Sequence, residues 1–173
     1  IAAGAPTSTR SLCSIMSNTG DRRAGRPTPG VVASIARRGQ PDRSEALDVT
    51  IELFRLVGGR DWDEHEQRVR SAASLDRAYN PAGVLRQSQA IAASPDRTQA
   101  LRQVTAPTLV VHGLEDTLVR PSGGVATAAA IPESRLIMFP RMGHDLPRSR
   151  DHELITAIRT NAARANAAPS RPS

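Results

Sequence analysis

Lysine is absent from this sequence of 173 residues; all 23 basic side chains are arginine. Against 17 acidic residues they leave a net charge of +6 and a pI near 11.2, a balance that invites a nucleic-acid reading. The arginines are scattered, however, among acidic neighbours. "RDWDEHEQRVR", Arg60 to Arg70, mixes signs as a solvated helix face does. With no basic block and no aromatic RNA-binding motif, no nucleic-acid partner is expected. Aromatics are scarce too. Only Phe54, Trp62, Tyr79 and Phe139 occur, so the core must be built mostly from aliphatic residues and alanine.

Cys13 is the one cysteine. An internal disulfide is excluded, and a single thiol suits a reducing, cytoplasmic compartment. No apolar run approaches the roughly 18 residues that a membrane span needs, so no membrane partner is expected. "IAAGAPTSTR" at the start lacks the basic and apolar regions of a secretory signal. It also lacks an initiator Met, and the chain is expected to be a fragment of a longer protein. No His/Cys/Asp/Glu cluster has metal spacing, and neither G-x-G-x-x-G nor a P-loop is present. Neither a metal nor a nucleotide cofactor is expected.

What is there falls into two patterns. Residues 1–7 read as the tail of a helix and "RSLCSIMS", Arg10 to Ser17, as a buried strand, followed by a Gly/Pro/Arg-rich loop. From about 28 to 103 the pattern is helical. Thr28 and Pro29 open a first helix through "VVASIARR". Asp42 caps a second, from Arg43 to Val57, whose stripe is Ala46, Val49, Thr50, Leu53, Phe54 and Val57. Gly58 and Gly59 close it. A third helix is predicted over 63–79, a fourth after Asn80, and a short fifth after Asp96.

The period then changes. "PTLVVHG", Pro107 to Gly113, is a continuous apolar run, as a strand buried on both faces requires. A loop, the short helix "VATAAAIP", the strand "SRLIMFP" and an amphipathic helix from Glu153 follow, with "NAAPSRPS" as a frayed tail. Strand, helix, strand, helix is a βαβ unit and implies a parallel sheet.

Open α/β sheets hold their chemistry beyond the carboxyl ends of the strands. Two ionisable residues stand there. Asp116 comes four residues after His112, and His144 comes five after Phe139, just past Pro140. Adjacent parallel strands bring both loops to one edge, and the separation of 28 residues (116 to 144) is what one helix and one strand take up. Asp116 would accept from one ring nitrogen and hold the tautomer; the other nitrogen would act as general base.

"APTLVVHGLEDTLVRPSGGVATAAAIPESRLIMFPRMGHDLP", Ala106 to Pro147, resembles the C-terminal part of an α/β-hydrolase: a strand, HG-x-x-D, a helix, a strand and G-H. "RSLCSIMSNTGD" and "DRAYNPAGVLRQSQAIAASPDRTQALRQVTAPTLV" are similar to a subgroup like aclacinomycin methylesterase. The resemblance implies an α/β fold: the C-terminal half of a hydrolase sheet, three parallel strands, with an inserted helical cap. Residues 1–20 and 101–173 would form the partial core and 21–100 the cap. It also implies a triad acid at Asp116, a triad base at His144, and a small-molecule ester as substrate. The family's serine in G-x-S-x-G has no counterpart here, so it is expected upstream of Ile1 with the oxyanion hole. Lactonase, C–C hydrolase or cofactor-free perhydrolase chemistry would use the same pair; a non-catalytic scaffold would not need it.

Other residues read as structural. Glu115 neighbours the acid, His112 ends a strand as packing, and His65 and His152 sit on exposed helix positions. Asp145 helps a turn, Cys13 is a small buried apolar group, and Trp62 packs. Met16, near the end of the first strand, is placed to face the pocket. Ser11, Ser14 and Ser17 lack the flanking glycines of a nucleophile elbow, and Ser122 precedes "GG" in a loop after the acid.

Overall fold

The computed structural model describes residues 2–39 and 41–167. Three strands, β1 (Leu12–Ile15), β2 (Thr108–Gly113) and β3 (Arg135–Phe139), form a parallel sheet in the order β1-β2-β3. Leu12 pairs with Thr108 and Leu109 with Arg135, so Gly113 and Phe139 end side by side. All six residues of β2 are buried, as its unbroken apolar run requires, and those of β1 are half-buried.

Successive side chains of β2 point to opposite faces. Leu109 and Val111 join Phe139, Met142 and Leu154 in a cluster that Cys13, Ile15 and Met16 extend. Met16 is therefore committed to this core. Leu154 comes from α7 (Asp151–Ala167), which covers β1 and β2. On α7, Asn161 is buried, and its side-chain amide donates to Leu12 O and Pro107 O at 2.9 and 3.1 Å. His112 belongs to the other face and packs on α6 (Ser122–Ala130). There Gly124 is required: a Cβ would lie 2.5 Å from His112 Nδ1. Each large apolar side chain buried this way contributes about 1.5–3 kcal/mol.

Between β1 and β2 the chain inserts five helices: α1 (Pro29–Arg37), α2 (Ala46–Val57), α3 (Glu64–Arg77), α4 (Pro81–Ala93) and α5 (Thr98–Leu101). Asp63 caps α3 by accepting from Glu66 N–H at 2.8 Å, and Asn80 caps α4 through Gly83 N–H at 2.9 Å. Asp42 does accept from the amides of Ser44 and Glu45, but what it caps is a turn; α2 proper starts at Ala46. In α2 the buried residues are Ala46, Ile51 and Val57, while Val49, Thr50, Leu53 and Phe54 of the expected stripe are half-buried. No residue of the stripe is exposed; Ile51, outside it, is buried as well where α3 packs alongside. On α4 no residue is buried, and Val84, Leu85 and Ile91 are exposed.

The expected helix tail over residues 1–7 is not formed in the described part. Residues 2–4 turn, and Pro6–Ser8 is a 3-10 turn. Pro6 has no amide to donate and cannot continue a helix. The final helix begins at Asp151 rather than Glu153 and runs through Ala167; the expected tail beyond it, 168–173, lies outside the described residues, as does Ile1. No helix among the described residues is long and apolar enough to cross a membrane.

Candidate active site

The carboxyl ends of β2 and β3 are fastened to each other by their loops. Leu114 N–H donates to Phe139 O at 2.9 Å and Glu115 N–H to Met142 O at 2.9 Å. This seats Asp116 under the loop that carries His144. Asp116 is 2% exposed. Its Oδ1 accepts from the amides of Leu118 and Val119 at 2.9 and 2.8 Å. Its Oδ2 lies 2.8 Å from Nδ1 of His144. Burial pushes the Asp116 carboxyl up, but hydrogen bonds from His112, His144 and the Val119 amide outweigh it and hold the carboxyl below its ordinary value. An ionised Asp116 can only accept, so the proton of His144 sits on Nδ1. Nε2 is left with its lone pair, and among the described residues nothing bonds to it. The His144 side chain is 28% exposed, so that nitrogen can be reached.

Glu115, the neighbour in sequence, faces elsewhere. Its carboxylate pairs with Arg60, accepting from Nε at 2.6 Å and from the Arg60 amide at 2.9 Å. The two expected site residues are thus brought together and the adjacent acid is not.

His112 is more than packing. It is fully buried, its Nε2 lies 2.6 Å from Val119 O, and the same nitrogen is 3.5 Å from Asp116 Oδ2. A carbonyl oxygen can only accept, so Nε2 carries the proton. The ring ties down the far end of the acid loop. Its sequence signal was the spacing of four to Asp116, masked by the apolar run in which His112 stands.

Asp145 is also more than a turn former. It is 3% exposed, and its Oδ1 accepts from Gly143 N–H at 3.0 Å and from Gly59 N–H, 86 positions away, at 3.1 Å. Among the described residues its Oδ2 has no hydrogen-bond partner, and neither have the buried Trp62 Nε1 and His112 Nδ1. Burial pushes the Asp145 carboxyl up, against the two amide bonds and the charge of Arg70; Asp116 adds to the rise.

His65 and His152 are exposed. Cys13 packs against the Leu109 cluster, and burial raises its thiol. Ser14 and Ser17 bond each other, and Ser122 Oγ accepts from the Gly25 amide at 3.0 Å. No described serine or cysteine bonds to His144. Among the described residues no three His, Cys, Asp or Glu side chains gather as a metal ion requires. A cleft of about 300 Å³ beside the segment after β1 is lined by Asn18, Arg22, Arg26, Ile91 and Arg97, with neither Asp116 nor His144 among its walls.

No family model matches the chain. It is 33% identical over 100 residues to 2-hydroxy-6-oxononadienedioate/2-hydroxy-6-oxononatrienedioate hydrolase 2 of Pseudomonas putida, covering 58% of this chain and 31% of that enzyme. A candidate non-heme bromoperoxidase of Mycobacterium tuberculosis superposes with a TM-score of 0.64 at 20% identity, over 94% of this chain and 61% of that one. A thermophilic esterase of Thermogutta terrifontis does so with a TM-score of 0.56 at 22% identity, over 90% and 56%. The parallel sheet and these superpositions define the class: the chain has the α/β-hydrolase fold. It spans 31% of the length of its curated relative and little more than half of the two solved structures.

Proposed function

We propose that these residues supply the acid and the base of a serine-type α/β-hydrolase that cleaves a small or medium carboxylic ester. The observation that carries the reading is the 2.8 Å contact between His144 Nδ1 and the buried carboxylate of Asp116. In that role His144 Nε2 accepts the proton of a serine hydroxyl as its oxygen attacks the ester carbonyl. Asp116 stabilises the imidazolium that forms. The tetrahedral intermediate then expels the alcohol, which takes the proton from Nε2. Water repeats the sequence on the acyl-enzyme: Nε2 accepts its proton, the carboxylic acid leaves, and the serine is restored. Since no described serine reaches Nε2, the nucleophile and the oxyanion donors belong to a part of the enzyme outside these residues. The helices of residues 21–100 form the cap over that site.

A second reading is favoured by the Pseudomonas relative, a hydrolase of a dienedioate. The same pair would serve hydrolytic cleavage of a C–C bond next to a carbonyl.

Both are tested on the intact protein with p-nitrophenyl esters and with a vinylogous 1,5-diketone acid. Ester turnover that disappears in His144→Ala supports the first reading. Diketone cleavage without ester turnover favours the second, and activity untouched by His144→Ala refutes both.

A further inference from the structure

The loop that joins α2 to α3 touches the loops of both Asp116 and His144. The amide of His144 donates to Val57 O at 2.7 Å, and Asp61 N–H donates to Arg141 O at 2.9 Å. Gly59 and Gly143 meet backbone to backbone: a Cβ on Gly59 would strike Arg141 O and Gly143 N, and one on Gly143 would strike Val57 O and Gly59 N. The exposed side of the junction is held by charge. Arg141 Nε donates to Asp61 Oδ1 at 2.7 Å, and Arg150 donates to Asp61 Oδ2 at 3.1 and 2.9 Å. Arg150 in turn stands 5.8 Å above the ring of Phe139, the last residue of β3. Toward the acid loop, Thr117 Oγ1 donates to Leu56 O at 3.0 Å, and Arg60 holds Glu115.

At the centre of this junction stands Asp145. One of its oxygens gathers the amides of Gly59 and Gly143, the residues on either side of the contact. The other is buried and has no partner among the described residues. A turn alone would not account for this. A turn former in a surface loop keeps its free oxygen in water, whereas here a carboxylate is buried at an energetic cost. What it obtains is a fixed distance between the helical insertion and the backbone that carries His144.

We infer that Asp145 is a positioning residue for His144, acting through Gly59 and Gly143 to lock the imidazole onto Asp116 in a register set by the 57–62 loop. The inference rests on the proposed role of His144 as the base. A misplacement of the base on the order of 1 Å costs about 100-fold in rate. Movement of the helices on either side of the loop is therefore felt directly at the base.

The test uses the intact protein with ¹⁵N-labelled histidine and two readouts. One is kcat and KM; the other is the Nδ1–H proton of His144, slow to exchange while it is held by Asp116. Asp145→Ala should lower kcat about 10- to 100-fold with KM changed less than about 3-fold, and should broaden or abolish the Nδ1–H signal. Asp145→Asn keeps an oxygen for both amides and should restore the signal and most of kcat. If Asp145→Ala only lowers the melting temperature, with the signal and kcat unchanged, the inference is wrong. If Asp145→Ala does not fold, Asp61→Asn decides: it loosens the exposed side and should speed exchange of the same proton, and unaltered exchange overturns the inference. The proton signal remains a valid readout even if no ester or C–C substrate is turned over, so failure of the proposed activity is told apart from failure of this one.

Discussion

Nε2 of His112 and Oδ2 of Asp116 lie 3.5 Å apart with both side chains fully buried. The oxygen that His144 engages is thus also approached from within the core, and Val119 O takes the shorter bond from the same ring. His112→Phe keeps the volume but removes the donor. Val119 O then loses its partner, and the acid loop should be destabilised by about 1–3 kcal/mol. The Asp116 carboxyl should shift upward, since one of the bonds that hold it down is gone. Denaturant unfolding of the variant checks the first, and a carboxyl titration by NMR checks the second. An unchanged Asp116 titration would show that the approach from His112 is mere proximity.

The two acids of the loop should separate cleanly. Asp116→Asn in the intact protein should cost about 10³–10⁴-fold in kcat, because the amide permits the wrong imidazole tautomer. Glu115→Gln should cost less than about 3-fold, since Glu115 sits on Arg60 at the surface. A larger loss in Glu115→Gln than in Asp116→Asn would move the proposed acid by one residue.

Stability should respond to pH with opposite signs from Asp116 and Asp145. Asp116 lies below the ordinary value of 3.8 in the folded state. Its contribution is present above that pH and is lost as the pH falls through its folded pKa. Asp145 lies above the ordinary value of 3.8, so its folded form favours the proton. That advantage is complete below 3.8 and is lost as the pH rises through its folded pKa. Asp145→Asn should therefore flatten the decline on the neutral side and leave the acid limb in place. Urea unfolding at a series of pH values measures both limbs, and a variant curve parallel to the parent's throughout would contradict the assignment.

Gly124→Ala adds one methyl group to α6, 2.5 Å from His112 Nδ1. The His112 side chain is fully buried, so the ring or the helix must shift. Overpacking of this kind costs about 1–3 kcal/mol. The Val119 end of the acid loop should loosen with it, visible as faster amide exchange at Leu118 and Val119. Gly30→Ala, where a Cβ meets nothing within 4 Å, is the control expected to leave both unchanged.

Expressed as these 173 residues alone, the chain should show no ester turnover above free imidazole, since no described serine meets His144. β1 pairs only with β2 among the described strands, and α4 exposes Val84, Leu85 and Ile91. A free strand edge and exposed apolar side chains each invite association. Size-exclusion chromatography and p-nitrophenyl acetate turnover test the two halves of this expectation. A monomer with cooperative unfolding would refute the first, and turnover that vanishes in His144→Ala the second.

The parallel sheet was legible because β2 is an unbroken apolar run and a helix followed by a second strand comes after it. Asp116 and His144 were legible for the same reason: each stands a fixed few residues beyond a strand end. His112 was read as packing because its apolar neighbours hide its contacts with Val119 O and Asp116. Asp145 was read as a turn former, and its bond to the Gly143 amide agrees; its bond to Gly59 was not legible, since that partner is 86 positions distant and a glycine amide leaves no side-chain signature. The α2 stripe was legible because helical spacing fixes which residues share a face; only Ile51, buried outside that spacing, was not. The helix tail read over residues 1–7 is not formed in the described part, where Pro6 lacks the amide a helix needs.

The contact of Gly59 with Gly143 has a bearing on recombination. The helical insertion leaves the sheet after Ile15 and returns to it at Thr108, and those are the natural splice points for exchanging it with the insertion of another protein of this fold. A graft cut there would still carry a foreign loop onto Arg141 and His144, and any side chain at position 59 would collide with the peptide backbone beneath it. The unit that can be transplanted is therefore discontinuous. It comprises the helices together with 140–145, and a chimera that moves one without the other would be expected to fold around a displaced histidine.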